Sequence, residues 1–428
     1  MARKADKEPD KSAVKKPTNR RPSRSAAPVT LDDRGETVSG MEPTTISESS
    51  KHRAVLSDKV LQLTQRAAAF RSRLPEGLID PLSSLVREMN CYYSNLIEGH
   101  NTHPIDIQRA LFGEQSGDPK RRDLQQEAVA HIAVQRWIDE GGLGDKAATV
   151  ENTLAIHRRF YDALPESLKW VENPDTGERE PVLPGETRHK HVEVGRLIPV
   201  SPGAVGRHLV HWERSYAPLG SFETVLNTAA AHHRLLWVHP FLDGNGRVAR
   251  LISYAMLRNA LDTCGLWSVA RGLARNADKY KSHLAACDAQ RRNDLDGRGN
   301  LSEEKLVEFT HYFLDVCLDQ IDFMEGLMRP RDLRARIMAW AEDEIRLKRL
   351  HEKAKLVLDH ILFNGSLERK DLPGIVGLDD RQARRIAQPM VEIGLIRSVS
   401  TRAPYHLAFP AELAPRLMPG LYPGSLSA

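Results

Sequence analysis

Residues His239 to Arg250 read HPFLDGNGRVAR, and this run decides how the chain around it folds. The segment before it, Phe222 to Val238 (FETVLNTAAAHHRLLWV), has apolar residues at helical spacing, and so does Val248 to Leu261 after it. The run is therefore a loop between two helices, with the N-terminus of the second aimed at whatever the glycines cradle. Its left half offers an imidazole, His239, and four residues on the carboxylate of Asp243. Its right half is Gly244-Asn245-Gly246-Arg247, followed by Arg250. A proton acceptor, an acid suited to a divalent cation, backbone N–H groups freed by glycines and two guanidinium groups make a phosphate-handling set. A His–Pro turn and a glycine cap joining two core helices would explain the glycines, but not two arginines and an Asp.

The run matches the signature HPFxxGNGRxxR, and on it the chain resembles the Fic-domain protein adenylyltransferases. Eight fixed positions at roughly one in twenty each give a chance match on the order of 10⁻⁸ over a chain this long. The resemblance implies a role for each residue. His239 is the general base that takes the proton of a target hydroxyl (Ser, Thr or Tyr) as it attacks the α-phosphate of ATP. Asp243 holds Mg²⁺. Gly244, Asn245 and Gly246 form the anion hole, where a Cβ at either glycine would keep the backbone from the phosphates. Arg247 and Arg250, three apart on one helix face, grip the phosphates. Pyrophosphate leaves and AMP stays on the target protein.

Far upstream, Ser94-Asn95-Leu96-Ile97-Glu98-Gly99 ends a helical stretch that begins near Pro81. It resembles the family's inhibitory motif, [S/T]xxxE[G/N]. By that resemblance Glu98 pairs with Arg250, takes it from the γ-phosphate and leaves ATP misaligned, where about 1 Å of misplacement can cost on the order of 100-fold in rate. In some members the same glutamate serves the reverse reaction, removal of AMP. A plain helix end capped by Gly99 is the other reading.

Pro184 to Gly195 alternates between turn-rich flanks, which predicts a β-hairpin. In Fic proteins such a flap covers the site and docks the target's backbone as an added strand. Arg188, Val192 and Val194 are the expected docking residues, and Arg188, His189 and Lys190 suggest an acidic target segment, though a solvated charged strand fits as well. Leu266 to Tyr280 resembles the part of the family that closes over adenine, with Asn276 and Tyr280 four apart on one helical face. Core and surface of one more helix is the bland alternative. Asp294 to Asn300 looks briefly like a calcium loop, but Arg298 and Lys305 stand where ligands should. It reads as a loop with Asn300 or Ser302 capping the next helix.

The 428 residues, 41% hydrophobic with a net charge of +4, suffice for two or three domains and name no partner. Four scattered cysteines without a CxxC pair argue against structural zinc or a disulfide framework. No apolar run is long enough to span a bilayer, and the charged first residues lack a secretory signal, so a cytoplasmic protein is expected. Residues 1–52, rich in Lys, Arg, Pro, Ser and Thr, read as a disordered basic tail. Residues 53–145 read as an N-terminal helical lobe with the inhibitory motif, 146–330 as the Fic core, and 331–353 as a charged helical linker. Residues 354–412 show helices at Ala354–Phe363, Glu368–Val376 and Asp379–Ile393, then a short hairpin, which is the order of a winged helix-turn-helix. Residues 413–428 are left as a tail. Arg381, Arg384 and Arg385 should be exposed on the third helix, for DNA or protein contact or for packing in a homodimer, with Pro389 interrupting that helix. The fold class expected is mainly α: a Fic helical core with a small β-hairpin flap, plus the C-terminal winged helix. The function expected is an auto-inhibited, ATP- and Mg²⁺-dependent protein adenylyltransferase. Two alternatives are a DNA-binding regulator whose Fic core only senses and a phosphate or phosphocholine transferase on the same fold.

Overall fold

In a computed structural model the chain is described at residues 31–173 and 176–423. The basic stretch Arg3–Arg24 and residues 424–428 of the expected tail lie outside the described residues. Helices α1 (Arg53–Ser72), α2 (Glu76–Ile97), α3 (Pro104–Leu111) and α4 (Pro119–Asp139) come first. Then follow α5 (Val150–Asp162), an antiparallel pair of strands, β1 (Trp170–Glu172) and β2 (Arg179–Pro181), and α6 (Val205–Tyr216). The series continues with α7 (Ser221–Val238), α8 (Asn245–Leu261), α9 (Ala270–Arg275), α10 (Ala277–Cys287) and α11 (Glu303–Met328). Last are α12 (Pro330–Arg346), α13 (Ala354–Asn364), β3 (Ser366–Leu367), α14 (Leu372–Val376), α15 (Asp380–Glu392), β4 (Ile396–Arg397), β5 (Tyr405–Leu407) and α16 (Ala414–Leu417).

Helices α7 and α8 form the central hairpin, flanked by α1, α5, α6 and α11. Helix α7 is buried almost all round, as an inner helix must be, and it carries Asn227, His232, His233 and Arg234 into the core among its apolar and small residues. Its buried polar groups find partners. The His232 ring meets Ser253 Oγ at 2.8 Å and Tyr280 Oη at 2.7 Å, and His233 Nε2 meets Asp288 at 2.9 Å. The loop between α10 and α11 closes as a capped helix start: Ser302 Oγ accepts from the Lys305 N–H at 3.1 Å.

Three expectations change. The described part of the tail, from Asp32, is an ordered strap. Met41 and Ile46 are buried in the core, Arg234 donates to the Pro43 carbonyl, and the Tyr216 hydroxyl donates to that of Thr44. The strap needs only two apolar anchors because groups distant in sequence satisfy its backbone. The expected linker is α12, whose Leu333, Ile337 and Trp340 are buried against α13 and α16. The expected C-terminal tail returns to α2: Leu417, Met418 and Leu421 are buried, and the Tyr93 hydroxyl donates to the Leu421 carbonyl at 2.9 Å.

The C-terminal part has three helices, α13 to α15, on an antiparallel sheet ordered β3-β5-β4. Strand β3 was not expected. Pro389 does not interrupt α15, which runs on to Glu392; the proline leaves the Arg385 carbonyl without its helical donor, a loss of one bond. Gly365, in the left-handed conformation that ends α13, lies against Gly77 of α2. A Cβ on Gly77 would stand 2.5 Å from the Cα of Gly365.

Candidate active site

Pro240 ends α7, and His239 before it takes the left-handed conformation at φ 50°. That conformation costs a non-glycine residue about 1 kcal/mol, and Arg188 holds it in place. Arg188 Nε donates to the His239 carbonyl at 2.7 Å, Nη1 to Lys190 at 3.0 Å, and Nη2 to Val200 at 2.5 Å. Its own N–H donates to Pro240 at 2.8 Å. Arg188 is 3% exposed, and burial lowers its pKa to about 10. It is a clamp beneath the loop, and the expectation of a target-docking side chain there is corrected. The predicted hairpin over residues 184–195 is also corrected. The strand pair lies earlier, at β1–β2, and only Val194 bridges Leu197 within the expected flap. Val192 is half-buried and Val194 exposed.

Burial lowers the His239 imidazole to about pKa 4, so it is neutral near pH 7. Nδ1 lies 3.4 Å from the Leu236 carbonyl; with the proton there, Nε2 keeps a free lone pair. A groove of about 790 Å³ opens beside this ring, lined by Arg34, Val171, Lys190, His191 and Leu242 among others.

Asp243 is exposed at the loop's tip, and its Oδ2 accepts from the Tyr161 hydroxyl at 2.6 Å. Desolvation works to raise its pKa, but Arg247, Tyr161 and the Gly244 N–H outweigh it and hold the carboxylate below its ordinary value. His157 lies stacked between Tyr161 and Phe241, with ring centroids at 4.3 and 3.8 Å. Its Nδ1 accepts from the Gly185 N–H at 2.9 Å, so its Nε2 carries the proton and faces the Asp243 carbonyl at 3.3 Å. Tyr161 and His157 escaped the sequence reading, although their spacing on one face of α5 was there to see.

Gly244 caps α8 at φ 83°, and a Cβ there would stand 2.8 Å from the Tyr161 ring. The first-turn N–H groups of α8 have no helical partners, which makes this end an anion site. The Asn245 side chain turns inward instead: its Oδ1 accepts from the Phe241 N–H at 2.9 Å and its Nδ2 donates to the Phe241 carbonyl at 2.8 Å. It shapes the loop, and only its backbone faces the cradle.

The Glu98 carboxylate sits in this cradle. Its Oε1 lies 2.5 Å from Arg250 Nη2 and 2.5 Å from where a Cβ on Gly246 would be. Arg250 Nε donates to Ser94 Oγ at 2.9 Å, and Nη2 donates to the Ser94 carbonyl at 3.2 Å. Desolvation would raise the Glu98 pKa, but the charges of Arg250 and Arg247 overcome it and lower it. The SNLIEG run and the HPFLDGNGRVAR run thus meet in space. Arg247 does not join Glu98. It pairs at 2.9 Å with Glu127 of α4, a residue that nothing local in the sequence singles out.

The two adenine candidates separate. Asn276 is the exposed cap of α10, its Oδ1 accepting from the Lys279 N–H at 3.3 Å. Tyr280 is 2% exposed with its hydroxyl on His232. The Tyr280 N–H donates to the Asn276 carbonyl at 3.0 Å, one turn along α10, but the Asn276 side chain is spent on the cap in solvent while the Tyr280 ring is buried in the core. On α15, Arg381, Arg384 and Arg385 are exposed, with Arg384 paired to Asp380 at 2.6 Å, while Ala383, Ile386 and Met390 are buried.

Residues 147–257 match the model of the Fic/DOC family. The chain is 28% identical over 171 residues to protein adenylyltransferase Fic of Drosophila erecta, covering 40% of this chain and 32% of that protein. Against the Drosophila willistoni protein of the same name it is 26% identical over 226 residues, or 50% and 42% of the two chains. It thus spans about a third of the length of the first of these curated relatives. A crystal structure of a Fic family protein from Desulfovibrio desulfuricans G20 shares the fold, with a TM-score of 0.50 at 16% identity over 85% of this chain and 98% of that one. Sequence match, shared fold and the loop that positions His239 agree: residues 147–257 of this chain are a Fic domain.

Proposed function

We propose that the protein is an auto-inhibited protein adenylyltransferase. The observation that carries this is the Glu98 carboxylate on Arg250, against Gly246 in the anion cradle of the His239 loop. In the reaction, a Ser, Thr or Tyr hydroxyl oxygen of a target protein, entering by the groove beside His239, bonds to the α-phosphorus of ATP. The bond from that phosphorus to the bridging oxygen of pyrophosphate breaks. His239, neutral near pH 7, accepts the hydroxyl proton at Nε2. The N–H groups of the first turn of α8, with Arg247 and Arg250, hold the phosphates. The residues present fit Mg²⁺: Asp243 is kept ionised and exposed, and a hard cation that retains waters and takes phosphate oxygens needs few protein ligands. Bound there, it would neutralise phosphate charge.

Glu98 takes Arg250 from the γ-phosphate and puts a like charge where it would lie. Removal of AMP from a modified target, with Glu98 orienting a water, belongs to the same reading. The exposed arginine face of α15 supports a contact surface for DNA or a protein partner, and no helix among the described residues is long and apolar enough to cross a membrane. Intact-mass analysis after incubation with Mg·ATP tests the proposal. Glu98→Gly should gain the mass of one AMP on itself or on lysate proteins, at least tenfold faster than the unaltered chain. Glu98→Gly with His239→Ala should be silent, since loss of a general base costs roughly 10² to 10⁴ in rate. Glu98→Gly that is no more active than the unaltered chain would sink the brake.

A further inference from the structure

The third carboxylate of the site, after Asp243 and Glu98, is buried and doubly bound. Glu127 is 1% exposed. One of its oxygens lies 2.9 Å from Arg247 Nη2, and the other 2.7 Å from His100 Nδ1. Arg247 is itself 6% exposed, with its guanidinium carbon 5.2 Å from the centroid of the Phe160 ring. A buried carboxylate with one charged or polar donor on each oxygen is fixed in both position and plane, and it fixes what it holds.

His100 stands two residues beyond Glu98. Helix α2 ends with Glu98 as its cap and Gly99 at φ 88°. The Gly99 N–H donates to the Leu96 carbonyl at 3.1 Å and the His100 N–H to that of Asn95 at 2.9 Å, a Schellman turn. The turn makes Glu98 and His100 one rigid unit. From it, Glu98 reaches Arg250 directly and His100 reaches Arg247 through Glu127.

We propose that Glu127 is a positioning residue that orients Arg247 toward the phosphates, and that His100, by gripping Glu127, latches the turn that carries Glu98. The proposal rests on the reading of Glu98 as a brake. It assigns the arginines different fates. Arg250 is released when Glu98 withdraws. Arg247 stays on Glu127 in both states, and Glu98 withdraws only as His100 lets go.

Two arms test this. In the first, His100→Ala, a change at a side chain one-third exposed, is assayed for AMP incorporation with and without Glu98→Gly. The expected result is a rise of at least threefold over the unaltered chain, and no further rise when Glu98 is already Gly. No rise in the first case, or the same factor in both, overturns the latch. In the second arm, Mg·ATP binding to Glu98→Gly chains is measured by calorimetry, with kcat and KM alongside. Glu127→Gln, which keeps shape and one acceptor, should weaken binding at least tenfold with an unchanged melting temperature to within a few degrees. Glu127→Asp, which keeps the charge, should recover part of the loss. Full ATP affinity in Glu127→Gln overturns the positioning role. Should Glu98→Gly transfer no AMP while Glu127→Gln still weakens ATP binding, the brake reading fails and the positioning of Arg247 stands.

Discussion

At the scale of single residues, one imidazole and one buried guanidinium explain each other. His239 must leave the helix at once, because Pro240 follows, and the left-handed conformation it takes turns the chain out of the line of α7 beside the groove. Arg188 binds the His239 carbonyl at this turn and the Val200 carbonyl beside it. Its role could not be read from the sequence, where one charge among several in an alternating stretch looks like an exposed strand position. Its partners in the signature loop, the His239 and Pro240 carbonyls, lie about 50 residues away. Arg188→Ala should therefore destabilise the fold by about 3 kcal/mol, since several buried carbonyls lose a charged donor, each worth roughly 1.5–3 kcal/mol. Chemical denaturation measures this directly. Lysine should not rescue it, because one ammonium on a flexible stem cannot replace a planar fork. A loss under 0.5 kcal/mol, the usual range for a surface site, would contradict the clamp.

At the scale of elements, what is local in sequence was legible and what is contact-driven was not. The helices on both sides of the signature and the loop between them follow from periodicity and glycine placement, and α2 with its capped end follows likewise. The register of β1 on β2 and the pairing of Arg247 with Glu127 arise from packing between distant segments, which periodicity does not report. The meeting of Gly77 with Gly365 is of that kind. Neither glycine has a side chain that could move aside, so an added methyl must push backbone from backbone, and at Gly365 the φ of 81° adds strain. Gly365→Ala should lower stability by roughly 2 kcal/mol or more, combining left-handed strain with displacement of α2. Gly77→Ala should also be destabilising. The double variant should cost less than the sum, because the first methyl already opens the gap the second needs. Additive losses in a denaturant series would show that the two backbones do not press on one another.

At the scale of the whole molecule, burial of neutral histidines ties stability to pH. His131 and His232 are held near pKa 3, and His157 and His239 near 4, all by desolvation, against an ordinary value of 6.5. Unfolding lets each bind a proton below pH 6.5, so stability falls as pH drops from about 6.5 toward 4. Glu98 and Asp243, lowered by their arginine neighbours, push the same way at the acid end. Glu88 opposes them: its buried carboxyl is raised to about 7, and its contribution is lost as pH rises from 4.5 through 7. The histidines outnumber it, so the melting temperature should decline steadily below pH 6.5, and a flat profile between pH 6.5 and 4.5 would refute this. The same scale shows where composition misled. Asp32 to Lys51 has too few apolar residues to look like core, yet its carbonyls serve Arg234 and Tyr216. The closing C-terminal segment has a consequence for how the chain is made. The Tyr93 hydroxyl waits for a carbonyl 328 residues further along, and Tyr92 for the ring of Tyr422. At about 5–20 residues per second, a ribosome needs on the order of tens of seconds to supply them. Until then the aromatic face of the helix that bears Glu98 lacks its cover, so this helix is made long before it is sealed.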